Sequence, residues 1–123
     1  MRPSEKLHYG LERERSAAQA LSDQGARLLV TNLRYPGGEI DLIVEEQDPA
    51  TGAWVLIFVE VRVRRLGAWF RGIESVDHRK LARLKKGIDR FLVRYHGAAK
   101  NVRLDLMVWD GATWTRFKDV AFS

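Results

Sequence analysis

The sequence has no cysteine, which excludes disulfide frameworks, thiolate metal sites and cysteine nucleophiles and fits a reducing cytoplasm, the location expected for it. No stretch approaches the roughly 20 apolar residues that a helix needs to span a bilayer. Residues 1–9 carry charges but no apolar signal segment, so neither membrane insertion nor export is expected. His8, His78 and His96 stand far apart without metal-ligand spacing. A glycine-rich phosphate loop, a Ser/His/Asp arrangement, internal repeats and low-complexity linkers are also missing from the sequence.

What is there fits one domain. A chain of 123 residues can bury a hydrophobic core without disulfides or a structural zinc, and a single domain is expected over residues 10–123 after a tail at 1–9. Lys and Arg total 21 against 16 Asp and Glu, a formal net charge of +5. Such an excess favours polyanionic partners through counterion release, although many soluble domains are mildly basic for no functional reason.

Residues 11–24 lack Gly and Pro and are rich in Ala, Glu and Leu, which predicts a helix closed by Gly25. Strands are expected at 27–35, 39–46 and 54–64, with a turn at Pro36-Gly37-Gly38 and a loop at 48–53 between them. Together they form an antiparallel meander. Residues 66–74, with Gly67, Trp69, Phe70, Arg71 and Gly72, read as a loop over one end of the sheet. A second helix follows at 76–95, capped by Ser75 or Asp77, with Leu81, Leu84, Ile88, Phe91, Leu92 and Tyr95 at helical spacing. Strands at 102–109 and 113–118 flank an Asp110-Gly111 turn, with Trp109 and Trp114 placed to pack across it. The whole is an α/β domain in the order α-β-β-β-α-β-β.

Chemistry concentrates in three acids. On the third strand Val55, Ile57, Val59, Val61 and Val63 form one apolar face, while Trp54, Leu56 and Phe58 share the other with Glu60, Arg62 and Arg64. Charge on a strand whose opposite face is buried needs compensation. Asp41 shares a face of the second strand with Glu39 and Ile43, with Ile40, Leu42 and Val44 opposite. Antiparallel pairing then brings Asp41 near Glu60, and two hard oxygen donors suit Mg²⁺ or Mn²⁺. Arg62 points to the same side, where a phosphate oxygen would approach. Glu14 falls on the stripe of Leu11, Ala18 and Leu21, facing the sheet. The purely structural reading of the same residues is a set of ion pairs, with Glu60 on Arg62 or Arg64, Asp41 capping the Gly37-Gly38 turn and Glu14 on a neighbouring Arg. Asp105, alternating with Leu104 and Leu106, is expected to pair with Arg103 or Arg34.

The succession of Glu14, Gly38-Glu39-Ile40-Asp41-Leu42-Ile43, Phe58-Val59-Glu60-Val61-Arg62, Ser75-Val76 and Lys80 resembles the YraN family of uncharacterised bacterial proteins. That family is grouped with the restriction-endonuclease-like superfamily, which includes archaeal Holliday junction resolvases. The resemblance implies an α-β-β-β-α-β nuclease-like core with an extra C-terminal strand, a mixed central sheet and flanking helices. It implies that Asp41 and Glu60 are the metal-binding acids of a D…(D/E)xK motif, that Glu14 is an accessory acid, and that the cofactor is Mg²⁺ or Mn²⁺. The motif lysine is here Arg62, which holds a phosphate but stays protonated and cannot act as a base. Two outcomes follow: Lys80 supplies the ammonium, or the domain binds nucleic acid without cutting it.

Arg79, Arg83, Lys86, Arg90 and Arg94 fall on one side of the second helix, opposite its apolar stripe, with Asp89 as the main acid beside them. Such a face tracks phosphates with salt-dependent affinity, or is simply a solvated surface. With Arg64 and Lys80 it gives the candidate nucleic-acid contacts. The partner expected is structured or branched DNA, cleaved or only bound, with a homodimer as one way to present the surface.

Overall fold

The computed structural model describes residues 3–63 and 78–120, with side chains placed from Glu12 onward, His78 excepted. Arg64, the aromatic loop at 66–74 and the expected helix caps Ser75 and Asp77 lie outside the described residues. The described elements are α1 (Pro3–Asp23), β1 (Arg27–Tyr35), β2 (Gly38–Gln47), β3 (Trp54–Val63), α2 (His78–Arg94), β4 (Asn101–Trp109) and β5 (Trp114–Phe117).

Helix α1 starts eight residues before the expected position, so residues 3–9, expected as a tail, are helical. Pro3 is tolerated in a first turn, and a single internal glycine, Gly10, costs only about 1 kcal/mol and does not end a helix. Its C-terminus is where glycine predicts it. Gly25 at φ +96° lets its own N–H reach Ser22 O at 2.9 Å and the Ala26 N–H reach Leu21 O at 3.0 Å, the paired bonds of a Schellman ending.

The strands form one mixed sheet in the order β1-β2-β3-β4-β5. β1, β2 and β3 are antiparallel neighbours, β3 and β4 run parallel across the α2 crossover, and β5 returns antiparallel on β4. A parallel pair requires such a crossover. Ala17, Ala18 and Leu21 of α1 cover one face of the sheet with Leu42, Val44, Ile57, Val59 and Met107. Leu84 and Ile88 of α2 cover the other with Ile43, Leu56, Phe58 and Leu104. Both faces of β3 are therefore core, and Leu56, Ile57, Phe58 and Val59 are fully buried. Phe58 meets Phe91 edge to face at 5.8 Å. Ile40 packs on the α2 side although Leu42 and Val44 pack on the α1 side, a break in the expected alternation. The cause lies across the ladder: Asn32, between the Thr31–Leu42 and Leu33–Ile40 pairs, adopts a left-handed φ of +54° opposite Asp41.

At the far edge Trp109 and Trp114 pack across the final hairpin at 5.3 Å, and Trp114 Nε1 donates to Ser16 Oγ of α1. No helix among the described residues is long and apolar enough to cross a membrane.

Candidate metal and phosphate site

The backbone ladder between β2 and β3 stops at Leu42–Val59. One residue further, the Asp41 carboxylate substitutes for a backbone acceptor, its Oδ2 taking the Val61 N–H at 2.8 Å. The strands part around this contact, and Asp41 and Glu60 face each other in the opening. Asp41 thus bridges to β3 and does not cap the Gly37-Gly38 turn.

An open cavity of about 330 Å³ occupies the gap, lined among others by Tyr35, Glu39, Asp41, Glu60, Lys80 and Arg83. Glu60, on a strand buried on both sides, is itself buried; Lys80 Nζ lies 3.1 Å and Arg62 Nε 3.8 Å from its Oε2. Lys80 comes from the first turns of α2 and brings its ammonium to the Glu60 carboxylate on the sheet, its side chain staying partly exposed.

The acids crowd one another. Burial, then the Glu60 charge, then Glu14 and Glu39 push the Asp41 carboxyl up to about 7, against the opposing Val61 hydrogen bond. Glu14 is raised in the same way by burial and by Glu39, while Arg34 and a hydrogen bond with Asp41 pull it back. The other Glu14 oxygen, Oε2, is buried without a hydrogen-bond partner among the described residues.

Such a set fits a divalent cation in its donor chemistry: hard oxygens, two carboxylates that repel each other, and one orphaned acceptor. Among the described residues no three His, Asp or Glu side chains converge closely enough to enclose an ion by themselves. Mg²⁺ does not require that, since it commonly takes one or two carboxylates and completes its shell with water and phosphate oxygens.

The amino-acid relationships bear out the family resemblance. The description of the uncharacterised protein family UPF0102 matches residues 13–109, from the residue before Glu14 to the end of β4. The chain belongs to UPF0102, the YraN family. A UPF0102 protein of Stutzerimonas stutzeri is 41% identical over 98 residues, covering 80% of this chain and 77% of the relative. One from Corynebacterium efficiens is 36% identical over 104 residues, 85% of this chain and 79% of its own length. One from Deinococcus radiodurans is 36% identical over 91 residues, 74% and 70% respectively.

In this UPF0102 chain the residues picked out beforehand divide into two groups. Asp41, Glu60 and Lys80 line the cavity at the strand opening; Glu14 reaches it through its hydrogen bond with Asp41, and Arg62 through its contact with Glu60. Arg79, Arg83, Lys86, Arg90 and Arg94 are all exposed on α2, Arg83 at the cavity rim, and Arg64 is outside the described residues. Tyr35 was not anticipated. Its hydroxyl donates to Arg83 O at 2.9 Å, and its ring lies so close to α2 that a Cβ on Gly87 would sit 2.3 Å from it. A glycine in the middle of an otherwise strong helix was the only sequence signal for this approach. Burial first, then Glu60, raises the Tyr35 hydroxyl above its usual range. Asp105 pairs with Arg103 at 2.7 Å, as the alternation suggested, and also with Arg116 at 3.0 Å; it stands opposite Val59 on the neighbouring strand but does not line the cavity.

Proposed function

We propose that this UPF0102 protein is a Mg²⁺- or Mn²⁺-dependent nuclease-fold protein that binds structured or branched DNA and hydrolyses its phosphodiester bonds. The observation that carries the reading is the crowding of Asp41 with Glu60 and Glu14, which holds the Asp41 carboxyl near 7 in an open cavity beside Lys80. Buried carboxylates so arranged are unstable as anions until a cation joins them, and functional sites are where such arrangements concentrate. The element order α1-β1-β2-β3-α2-β4, with β3 and β4 parallel, agrees with a restriction-endonuclease-like core, and β5 is the extra strand.

Asp41 and Glu60 would hold the cation, which supplies an activated water and neutralises charge on the phosphoryl group. The Val61 N–H fixes the Asp41 carboxylate against β3, and Glu14 stands beside it as the accessory acid. Arg62 and Lys80 hold phosphate oxygens, Arg62 as a fixed positive fork and Lys80 as a point charge. The exposed arginines of α2 bind the backbone on either side without reading sequence.

A second reading, a catalytically silent nucleic-acid-binding module, draws on Arg62 in the lysine position and on the Lys80 ammonium already neutralising Glu60. Labelled junction, flap, single-stranded and blunt duplex DNA, incubated with Mg²⁺ or Mn²⁺, separates the two. The nuclease reading expects metal-dependent cleavage of at least one branched substrate, abolished in Glu60→Ala. Binding without cleavage in either metal leaves only the silent module.

A further inference from the structure

A second concavity of about 640 Å³ adjoins the acidic one, and Tyr35 lines both. Its walls are the β1–β2 hairpin and the last two turns of α2. Leu33, Pro36, Phe91 and Val93 give it apolar surface, while Arg34, Arg90 and Arg94 bring positive charge. The composition is unusual in two respects. Val93 is 80% exposed, so a branched apolar side chain lies open between Arg90 and Arg94 on the same side of the helix, contributing nothing to the core. Gly87 leaves the groove without a side chain in its floor, where Tyr35 lies across the helix backbone.

A duplex presents phosphates to a protein surface and keeps its base faces stacked inside, so a basic surface alone serves it. An unpaired strand exposes phosphates together with base faces that need apolar or aromatic cover. A groove with apolar walls and three arginines, opening directly into an acidic cavity, matches the second pattern in both charge and polarity. We propose that this groove binds an unpaired polynucleotide strand and leads it past Tyr35 to the acidic cavity, making the substrate class a nucleic acid with a single-stranded arm. The assignment rests on reading the acidic cavity as a phosphodiester site. Arg34, Arg90 and Arg94 hold phosphates along the strand, with Arg34 exchanging a long 3.9 Å contact to Glu39 for the ligand. Phe91, fixed by its edge-to-face contact with Phe58, and Val93 support the bases.

The test is a binding measurement in chelator, so that it depends on no metal ligand. Fluorescence anisotropy compares single strands of about 12 nucleotides, as DNA and as RNA, with blunt duplex DNA and with the same duplex carrying an unpaired arm. The groove predicts single-strand and armed-duplex binding about tenfold tighter than blunt duplex, and the tighter of the DNA and RNA strands identifies the source. Val93→Ser, a neutral surface change outside the acidic cavity, weakens strand binding several-fold and leaves blunt duplex binding within twofold. Arg90→Ala with Arg94→Ala flattens the salt dependence of strand binding by about 1.4 in the log–log slope. Equal affinity for strand and blunt duplex, no strand binding at all, or strand binding indifferent to Val93→Ser would overturn it. Because neither variant touches Asp41 or Glu60, such a failure leaves metal-dependent cleavage to be judged on its own.

Discussion

Asp41 is the residue on which sequence, fold and chemistry meet. Its neighbours explain why: half-buried where β2 parts from β3, it faces Glu60 and Glu14 with one backbone N–H to offset them. The consequence for stability has a definite sign. The ordinary carboxyl value is 3.8, and in the folded chain burial and Glu60 raise it to about 7. Between those values the folded state keeps a proton that the unfolded chain has lost, so without a cation the stability contributed at low pH declines as pH rises from about 4 to about 7. Above 7 the loss is complete, on the order of 2–4 kcal/mol. Asp41→Asn keeps an acceptor for Val61 and removes the charge. Denaturant unfolding in chelator is therefore expected to show wild type losing stability across that window, and Asp41→Asn staying level and more stable at pH 8. A wild-type curve that rises through the same window would contradict the electrostatic account. Much of this site was legible beforehand, because period-two alternation puts Asp41, Glu60 and Arg62 on common faces. The direct Asp41 contact to Val61 was not, because it depends on where a backbone ladder ends.

At the scale of elements, the α2 helix packs on β1 and β2 through Leu84 and Ile88 and makes one especially close approach to the end of β1. Tyr35 donates to the Arg83 carbonyl and lies against Gly87, and this docking fixes the helix that carries Lys80 toward Glu60. In an isolated helix Gly87→Ala would gain about 1 kcal/mol from propensity. Here the new Cβ would stand 2.3 Å from the Tyr35 ring, so the substitution is expected to destabilise by about 1–3 kcal/mol. A double-mutant cycle checks the cause: in a Tyr35→Ala background the same change should become neutral or stabilising. The strands and both helices follow from alternation, helical spacing and turn residues, and the β1 range is the expected one. Three features escaped that reasoning. Helix α1 reaches back to Pro3 because neither Pro in a first turn nor one glycine stops a helix. Ile40 changes sides because Asn32, in the neighbouring strand, takes a left-handed conformation. Tyr35 reaches α2 across 48 residues of sequence, a separation that no local pattern encodes.

Over the whole molecule, charge is distributed by role. Asp105, fully buried in β4, is shared by Arg103 and Arg116 and accepts the Asp119 N–H, while Arg116 also pairs with Glu46 at 2.8 Å. Every partner there is satisfied, so this network ties β5 and the last turn to β4 and β2 with no group left over for chemistry. Asp105→Ala leaves Arg116 with Glu46 but strips Arg103 and the Asp119 N–H of their shared acceptor, and is expected to cost about 1–3 kcal/mol in urea unfolding while leaving metal affinity unchanged in the folded fraction. The acidic cavity differs in kind: its carboxylates repel, and one oxygen of Glu14 has no partner among the described residues. The central claim is that this strained set is held for a divalent cation. A calorimetric Mn²⁺ titration at pH 8, with and without branched DNA, tests it most directly. The account predicts one cation bound by wild type, and binding lost in both Asp41→Ala and Glu60→Ala with their folds intact. Wild type that takes up no Mn²⁺ at millimolar concentration even with DNA present, or variants that bind it as well as wild type, would contradict it.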